Sequence, residues 1–439
     1  MSEYHHAQQW APARPGRSPV DSAKPRVLFI GETAALSHVA RPAMLASYLA
    51  SRGYSVCFAR DPRYNHLLQP DENVPRIDIK SEPSSTFLRR IHNNEPLFPR
   101  EILEKYVQID LETIREFKPD IVVGDSRFSL IVSSRLTGVP FVSIVDAHWS
   151  PCVDTKFELA DSPISRLIGT PLSDFIFHIV RPVVLPIAFA IQVEPINSVL
   201  RKHGLPEIAP DIRAYFTCGD YAVYPNDSGL YRLHEPLPPE HAFIGPLLWS
   251  AQVPPPAWWD RLPAHKPIVY VSLGSTGEPA LLQTVFRVLG ELPVTVIAAT
   301  AARINPSQLP SNVFLAEFIP GMEAARRSRF VICNGGAMSG QQAVSAGVPY
   351  LGLISNLDQM LYSMAVEQAG ACELMRESEV TDDSLRRLAL RLLSEDKYRV
   401  AAQKIARRTA QQDSCLAFEQ FLSGVLRTRM LKGTTRAGH

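Results

Sequence analysis

Phe330-Val-Ile-Cys-Asn-Gly-Gly-Ala-Met-Ser339 is the stretch on which the reading of this chain turns. Its first four residues, Phe330 to Cys333, have the length and apolar character of a buried strand, and a helix follows from Met338. A strand that passes straight into a helix through Asn-Gly-Gly sets free backbone N–H groups and the positive end of a helix dipole at the carboxyl edge of a sheet. A diphosphate can be held there without a metal. Val271-Ser-Leu-Gly-Ser-Thr-Gly277 repeats the arrangement after the run Ile268 to Leu273, with the Ser275 and Thr276 hydroxyls as further donors. Glycine and serine also build plain turns, so neither loop identifies a ligand by itself.

Working outward, apolar runs alternate with helix-length segments in both directions. Val294 to Ala298, Val313 to Phe318 and Val348 to Ile354 surround the quoted stretch. Val27 to Ile30, Tyr54 to Ala59, Pro119 to Asp125 and Pro140 to Val145 form a second set nearer the amino terminus. Such alternation predicts an α/β chain with a parallel sheet in each half. The 439 residues are too many for one core. Between the halves, eight prolines fall in the 28 residues from Pro236 to Pro263, a composition that favours extended chain. The expected organisation is a disordered tail over 1–24, an amino-terminal domain over 25–235, a Pro-rich linker over 236–266 and a carboxyl-terminal domain over 267–412. A last helix follows over 413–431. No strand is followed by a GxGxxG fingerprint or a Walker loop, which removes the main support for a nicotinamide, flavin or P-loop enzyme.

Lys plus Arg number 45 against 44 Asp plus Glu, so no electrostatic footprint for nucleic acid or anionic membrane exists, and neither is expected as a partner. The six cysteines lie far apart without a CxxC pair, which points to neither disulfide framework nor zinc cage and fits a reducing cytoplasm. His5 and His6 in the polar tail read as solvated, and no metal site is expected. The most apolar stretch, Phe175 to Ile191, is interrupted by His178, Arg181, Pro182 and Pro186, so it is not expected to span a membrane. Two readings remain for it: a helix pair broken by prolines and buried, which is favoured, or a greasy acceptor wall and peripheral membrane-touching lip.

Phe318-Ile-Pro320, Asn334-Gly-Gly336, Ser339, Gln342, Gly347-Val-Pro349 and Asp358-Gln359, in this order and spacing, resemble the donor signature of family 1 nucleotide-sugar glycosyltransferases, the group of the bacterial macrolide and natural-product enzymes. Ser37-His38-Val39, Arg201-Lys-His-Gly204-Leu-Pro206, Phe243-Ile-Gly-Pro-Leu247 and Ser272-Leu-Gly-Ser275 agree with it. The resemblance implies a GT-B fold: two facing Rossmann-like domains, the second holding the nucleotide sugar and the first the acceptor. It implies Phe318 beside the base, Gln342 near ribose, Asn334, Gly335, Gly336 and Ser339 around the diphosphate, and Asp358 with Gln359 at the sugar hydroxyls. It also implies a carboxyl-terminal helix that crosses back to the first domain. Three positions depart from the pattern: Asn334 stands where the family usually has His, Gln342 where it has Glu, and Gly321 where it has Gln.

Attack of a hydroxyl on an anomeric carbon requires a base, and neutral imidazole serves at neutral pH. His38, after the first strand, matches the family's base, and Asp125, at the end of another strand, its helper. Asp146 and His148 are a second-ranked acid/base pair or acceptor lining. Trp149, Phe175, Phe177 and Phe189 are candidates for an apolar acceptor surface or for core. The expected reaction is one in-line displacement with inversion, from a UDP- or dTDP-sugar to a hydroxyl of a small hydrophobic acceptor, with neither cofactor nor metal. Two rivals are a catalytically silent GT-B partner subunit and a nucleotide-sugar epimerase.

Overall fold

The structure, a computed structural model, describes residues 24–68, 70–161, 169–274, 277–278, 280–301 and 309–436. Residues 1–23 of the expected tail, Ser275 and Thr276 lie outside the described residues, while Lys24 lies over the Tyr54 ring. Thirteen strands form two sheets among those described, and every pairing is parallel. The first contains β1 (Arg26–Gly31), β2 (Ser55–Arg60), β3 (Arg76–Asp78), β4 (Ile121–Asp125), β5 (Phe141–Ile144), β6 (Tyr221–Tyr224) and β7 (His241–Phe243), in the order β3-β2-β1-β4-β5-β6-β7. The second contains β8 (Ile268–Ser272), β9 (Thr295–Ala299), β10 (Val313–Ala316), β11 (Phe330–Cys333), β12 (Tyr350–Ile354) and β13 (Cys372–Arg376), in the order β10-β9-β8-β11-β12-β13. Strands with helices on both faces are buried on both sides, so they are almost uninterrupted in apolar residues, as Val27-Leu-Phe-Ile30 and Phe330-Val-Ile-Cys333 are.

Strand order reverses at β1/β4 in the first sheet and at β8/β11 in the second. Loops diverge to opposite faces at such a point and leave a crevice beyond the strand ends. His38 follows β1 and Asp125 ends β4, while the Gly274 loop and Asn334-Gly-Gly336 follow β8 and β11. Topology thus sets both loop pairs at switch points.

The Pro-rich stretch differs from a simple linker. His241–Phe243 within it is β7, the edge strand of the first sheet, so that domain extends past residue 235. Proline is compatible with a short edge strand, because its missing N–H falls outside the ladder. Trp258 and Trp259 pack on the second domain, with Trp258 Nε1 donating to the Leu315 carbonyl at 3.0 Å. The final helix, Ser414–Arg436, returns to the first domain: Phe418, Leu422, Val425 and Leu426 share a core with Val27, Phe29 and Leu45.

The stretch 175–191 is neither buried nor a broken pair. It belongs to one continuous helix, Thr170–Lys202, with Pro182, Pro186 and Pro195 inside it and a large part of its apolar surface exposed. Apolar periodicity identifies the helix but does not say which neighbour covers its outer face.

Candidate active site

Gly31 at the end of β1 pairs in register with Asp125 at the end of β4. The helix Ser37–Ser51 starts a few residues beyond β1, with Pro42 in its interior. Proline has no N–H to give the carbonyl four residues back, here that of His38. That carbonyl comes so close to Gly31 that a Cβ there would lie 2.6 Å from it, so a side chain at position 31 would push His38 out of place. His38 Nδ1 is 2.8 Å from Asp125 Oδ1, which directs Nε2 away from the carboxylate. Ser126 Oγ lies 3.1 Å from Nδ1 and 3.4 Å from Nε2, on a backbone with φ of +54°, a strained conformation for serine.

Arg41 completes this cluster. Three residues after His38 on one helix, it shares that residue's face. Its Nε donates to Asp125 Oδ2 at 2.9 Å, Nη2 to Asp125 Oδ1 at 3.1 Å, and Nη1 to Asp146 Oδ2 at 2.9 Å. Burial pushes the Asp125 carboxyl up, but the charge of Arg41 and then that of His38 outweigh it and hold it below the ordinary carboxylate range. Burial likewise works against the guanidinium charge, and Asp125 and Asp146 overcome it, so Arg41 stays protonated. The i, i+3 spacing from His38 was the one signal in the sequence that could have singled Arg41 out.

Asp146 and His148 do not pair with each other. Asp146 Oδ1 accepts from Asn226 Nδ2 at 3.0 Å and its other oxygen is taken by Arg41, while His148 Nε2 meets Asp358 Oδ1 at 2.9 Å. The reading of these two as a competing acid/base couple is therefore replaced: one positions Arg41 and the other joins the domains. Trp149 Nε1 donates to the same Asp358 oxygen at 2.8 Å, and its ring stacks on Phe216. Burial raises the Asp358 carboxyl, whereas the hydrogen bond and charge of His148 and the Trp149 hydrogen bond bring it down to about 2.

On the opposite side, Asn334-Gly-Gly336 leads into the helix Ala337–Ser345, whose first N–H groups have no acceptor within the helix. Asn334 Oδ1 accepts from Gly336 N at 3.2 Å, which folds the loop onto the helix start. Gly335 has φ of +71°, and a Cβ on it would fall 2.2 Å from Ile354 Cδ1. Only glycine fits that turn. Asn356 caps the helix Leu357–Gln368 by accepting from Gln359 N at 3.1 Å, which sets Asp358 and Gln359 in the first turn. Gln359 Oε1 accepts from Ser355 N at 2.9 Å.

The two halves meet in one cavity of about 670 Å³. His38, Arg41, Asp146 and Trp149 line it from the first domain, and Gly274, Asn334, Gly336, Ser339, Asp358 and Gln359 from the second. Phe177 and Phe189 also reach it, whereas Phe175 points to solvent. Asp125, Gly335 and His148 stand behind its surface. Phe318 and Gln342 are not brought to it: the Phe318 ring lies 6.0 Å from the His66 ring of the first domain, and Gln342 donates to the Trp249 carbonyl beside a smaller crevice shared with Ser339. Among the described residues no three His, Cys, Asp or Glu side chains cluster as a metal site.

Residues 280–417 match the model of the erythromycin biosynthesis protein CIII-like C-terminal domain. The chain is 42% identical over 381 residues to a PGL/p-HBAD biosynthesis glycosyltransferase of Mycobacterium tuberculosis, across 87% of this chain and 88% of that protein. The chain belongs to the family 1 glycosyltransferases. A PGL/p-HBAD biosynthesis rhamnosyltransferase of Mycobacterium bovis is 42% identical to this glycosyltransferase over 383 residues, 87% of this chain and 83% of the relative. A solved structure of a spinosyn rhamnosyltransferase complexed with thymidine diphosphate aligns with a TM-score of 0.63 at 18% identity, covering 91% of this chain and all of that one. The glycosyltransferase has the GT-B fold, with its crevice between the two sheets.

Proposed function

We propose that the enzyme transfers a sugar with inversion from a dTDP- or UDP-sugar to a hydroxyl of a small hydrophobic acceptor, His38 acting as general base. The observation that carries this reading is the single cavity lined by His38 on one side and by Asn334, Gly336 and Ser339 on the other. His38 Nε2 takes the acceptor proton as oxygen attacks the anomeric carbon. Asp125, bonded to Nδ1, fixes the tautomer and stabilises the imidazolium that forms. The nucleoside diphosphate leaves toward the Ala337 helix start, where N–H groups and the helix dipole meet the developing charge in place of a metal ion. Asp358 and Gln359 receive the sugar hydroxyls; the half-exposed Asp358 carboxylate keeps lone pairs free beside His148 and Trp149. Phe318 and Gln342, outside the cavity, reach a base and ribose only if the donor extends toward the smaller crevice along Ser339. The rhamnosyl activity named for relatives favours a deoxysugar on thymidine diphosphate as the first donor to try.

The test is incubation with dTDP-rhamnose, other dTDP-sugars and UDP-sugars against a panel of phenolic and aliphatic hydroxyl compounds, read by nucleoside diphosphate release and acceptor mass gain. His38→Ala is expected to lower turnover by about 10²–10⁴-fold. Undiminished turnover in that variant overturns the proposal, and a silent subunit gives no product with any pair.

A further inference from the structure

The outer face of the Thr170–Lys202 helix is unlike the rest of the surface. Of the fifteen large hydrophobic residues exposed among the described residues, nine lie on it. Phe175, Ile179, Val183, Ile187 and Ile191 recur at every fourth position and are 53 to 65% exposed, with Leu172, Ile176, Val180 and Val184 alongside. At 1.5 Å per residue, the row from Phe175 to Ile191 is an apolar stripe about 24 Å long. The helix is apolar and long enough to cross a bilayer, yet it cannot do so in this fold. Val193, Ile196, Val199 and Leu200 are sealed in the first domain's core, and Asp174, near the start of the helix, takes a bidentate ion pair from Arg376 of β13. The stripe is held at both ends as a rigid rib.

We propose that this rib rests on a phospholipid bilayer, with its stripe in the hydrocarbon boundary, and admits a membrane-dissolved acceptor to the cavity behind it. The inference rests on reading that cavity as the acceptor site. Val184 and Ile191 belong both to the outer stripe and to the cavity lining, and Leu185 and Phe189 extend the apolar path inward toward Trp149. Outer face and acceptor wall are one continuous apolar surface. A molecule that fills such a wall partitions into lipid rather than water. The chemistry of the stripe selects hydrocarbon over a protein partner. Protein interfaces are enriched in Tyr, Trp, Met and Arg and carry about one hydrogen bond per 100–200 Å², whereas this stripe offers Leu, Ile, Val and one Phe. On the same helix, the Arg181 guanidinium and the His178 imidazole both meet Glu158, so binding is expected to need no anionic lipid.

The test is flotation of the full-length protein with vesicles of phosphatidylcholine alone and of phosphatidylcholine with phosphatidylglycerol. The protein is expected to float with both. The triple variant Ile179→Ser, Val183→Ser, Ile187→Ser, none of whose positions lines the cavity, is expected to lose at least tenfold in vesicle partition. It is expected to keep its melting temperature and its turnover of a short, water-soluble acceptor. A parent protein that stays out of the lipid fraction at every vesicle concentration overturns the proposal, as does a triple variant that floats equally well. A parent that sediments as a dimer without binding vesicles, while the variant sediments as a monomer, assigns the stripe to a second copy instead. Soluble-acceptor turnover that depends on His38 keeps the catalytic reading intact whichever way flotation falls.

Discussion

Arg41 is the cation that lets two carboxylates stand buried beside the cavity. Its Nε and Nη2 donate to Asp125 at 2.9 and 3.1 Å and its Nη1 to Asp146 at 2.9 Å. Asp125 is fully buried and Asp146 nearly so. Arg41→Met keeps an apolar stem and removes the charge with all of its N–H donors. Breaking a buried pair in this way leaves the remaining charges uncompensated and is expected to cost about 3–5 kcal/mol. The assay is urea unfolding of parent and variant across roughly pH 3 to 7. Burial raises the Asp125 carboxyl and the charge of Arg41 does most to bring it below the ordinary range, so the gap between parent and Arg41→Met is expected to be full above about pH 4 and to narrow as pH falls through the lowered Asp125 value. Arg41→Lys retains the charge but loses the planar fork, and its stability is expected to lie between the two. A folded Arg41→Met enzyme that unfolds at the parent's urea concentration throughout refutes this account of the cluster.

In the proposed reaction Asp125 acts on the His38 tautomer and imidazolium and not on the donor, so Asp125→Asn is expected to lower kcat by about 10²–10⁴-fold with little change in donor KM; steady-state kinetics at fixed acceptor checks this. Thymidine or uridine diphosphate is expected to raise the melting temperature, as any ligand of the folded form must, and Asn334→Ala with Ser339→Ala to abolish the rise in a thermal-shift assay. Gly335→Ala forces a Cβ against Ile354 at positive φ and is expected to cost about 1–3 kcal/mol, read from urea unfolding. Asp125 and Asp358 are both held below the usual carboxylate range, so their contribution to stability is complete above about pH 4 and disappears as pH falls through the lowered values, for Asp358 toward about 2. Melting temperature against pH is expected to fall less steeply on the acid side in Asp358→Asn than in the parent.

Much of the fold and of the candidate site is legible in the sequence alone. Runs such as Val27 to Ile30 and Phe330 to Cys333 fix parallel strands by their apolar continuity, and loops at strand ends fix where His38, Asp125 and Asn334 stand. These are local properties with a definite topological consequence. What stayed hidden depends on partners distant in the chain. The link from Asp358 to His148 and Trp149 spans more than 200 residues and exists only in one orientation of the two domains. Asp146 lines the cavity, but its partner is Arg41, 105 residues away, and not His148, two residues on. The Pro-rich stretch concealed β7 because three residues at a sheet edge leave almost no periodicity. The Phe175 to Ile191 stretch looked buried because apolar composition ordinarily predicts burial.

The return of the Ser414–Arg436 helix to the first domain bears on how the chain is made. Phe418 packs on Phe29, nearly four hundred positions earlier, so the first domain lacks part of its interior until residue 418 and its helix have been made. Nascent chains must wait with an unfilled groove, open to chaperones. Stop codons before about residue 418 are expected to spoil the first domain, and a split version of the enzyme needs the Ser414–Arg436 helix delivered with that domain.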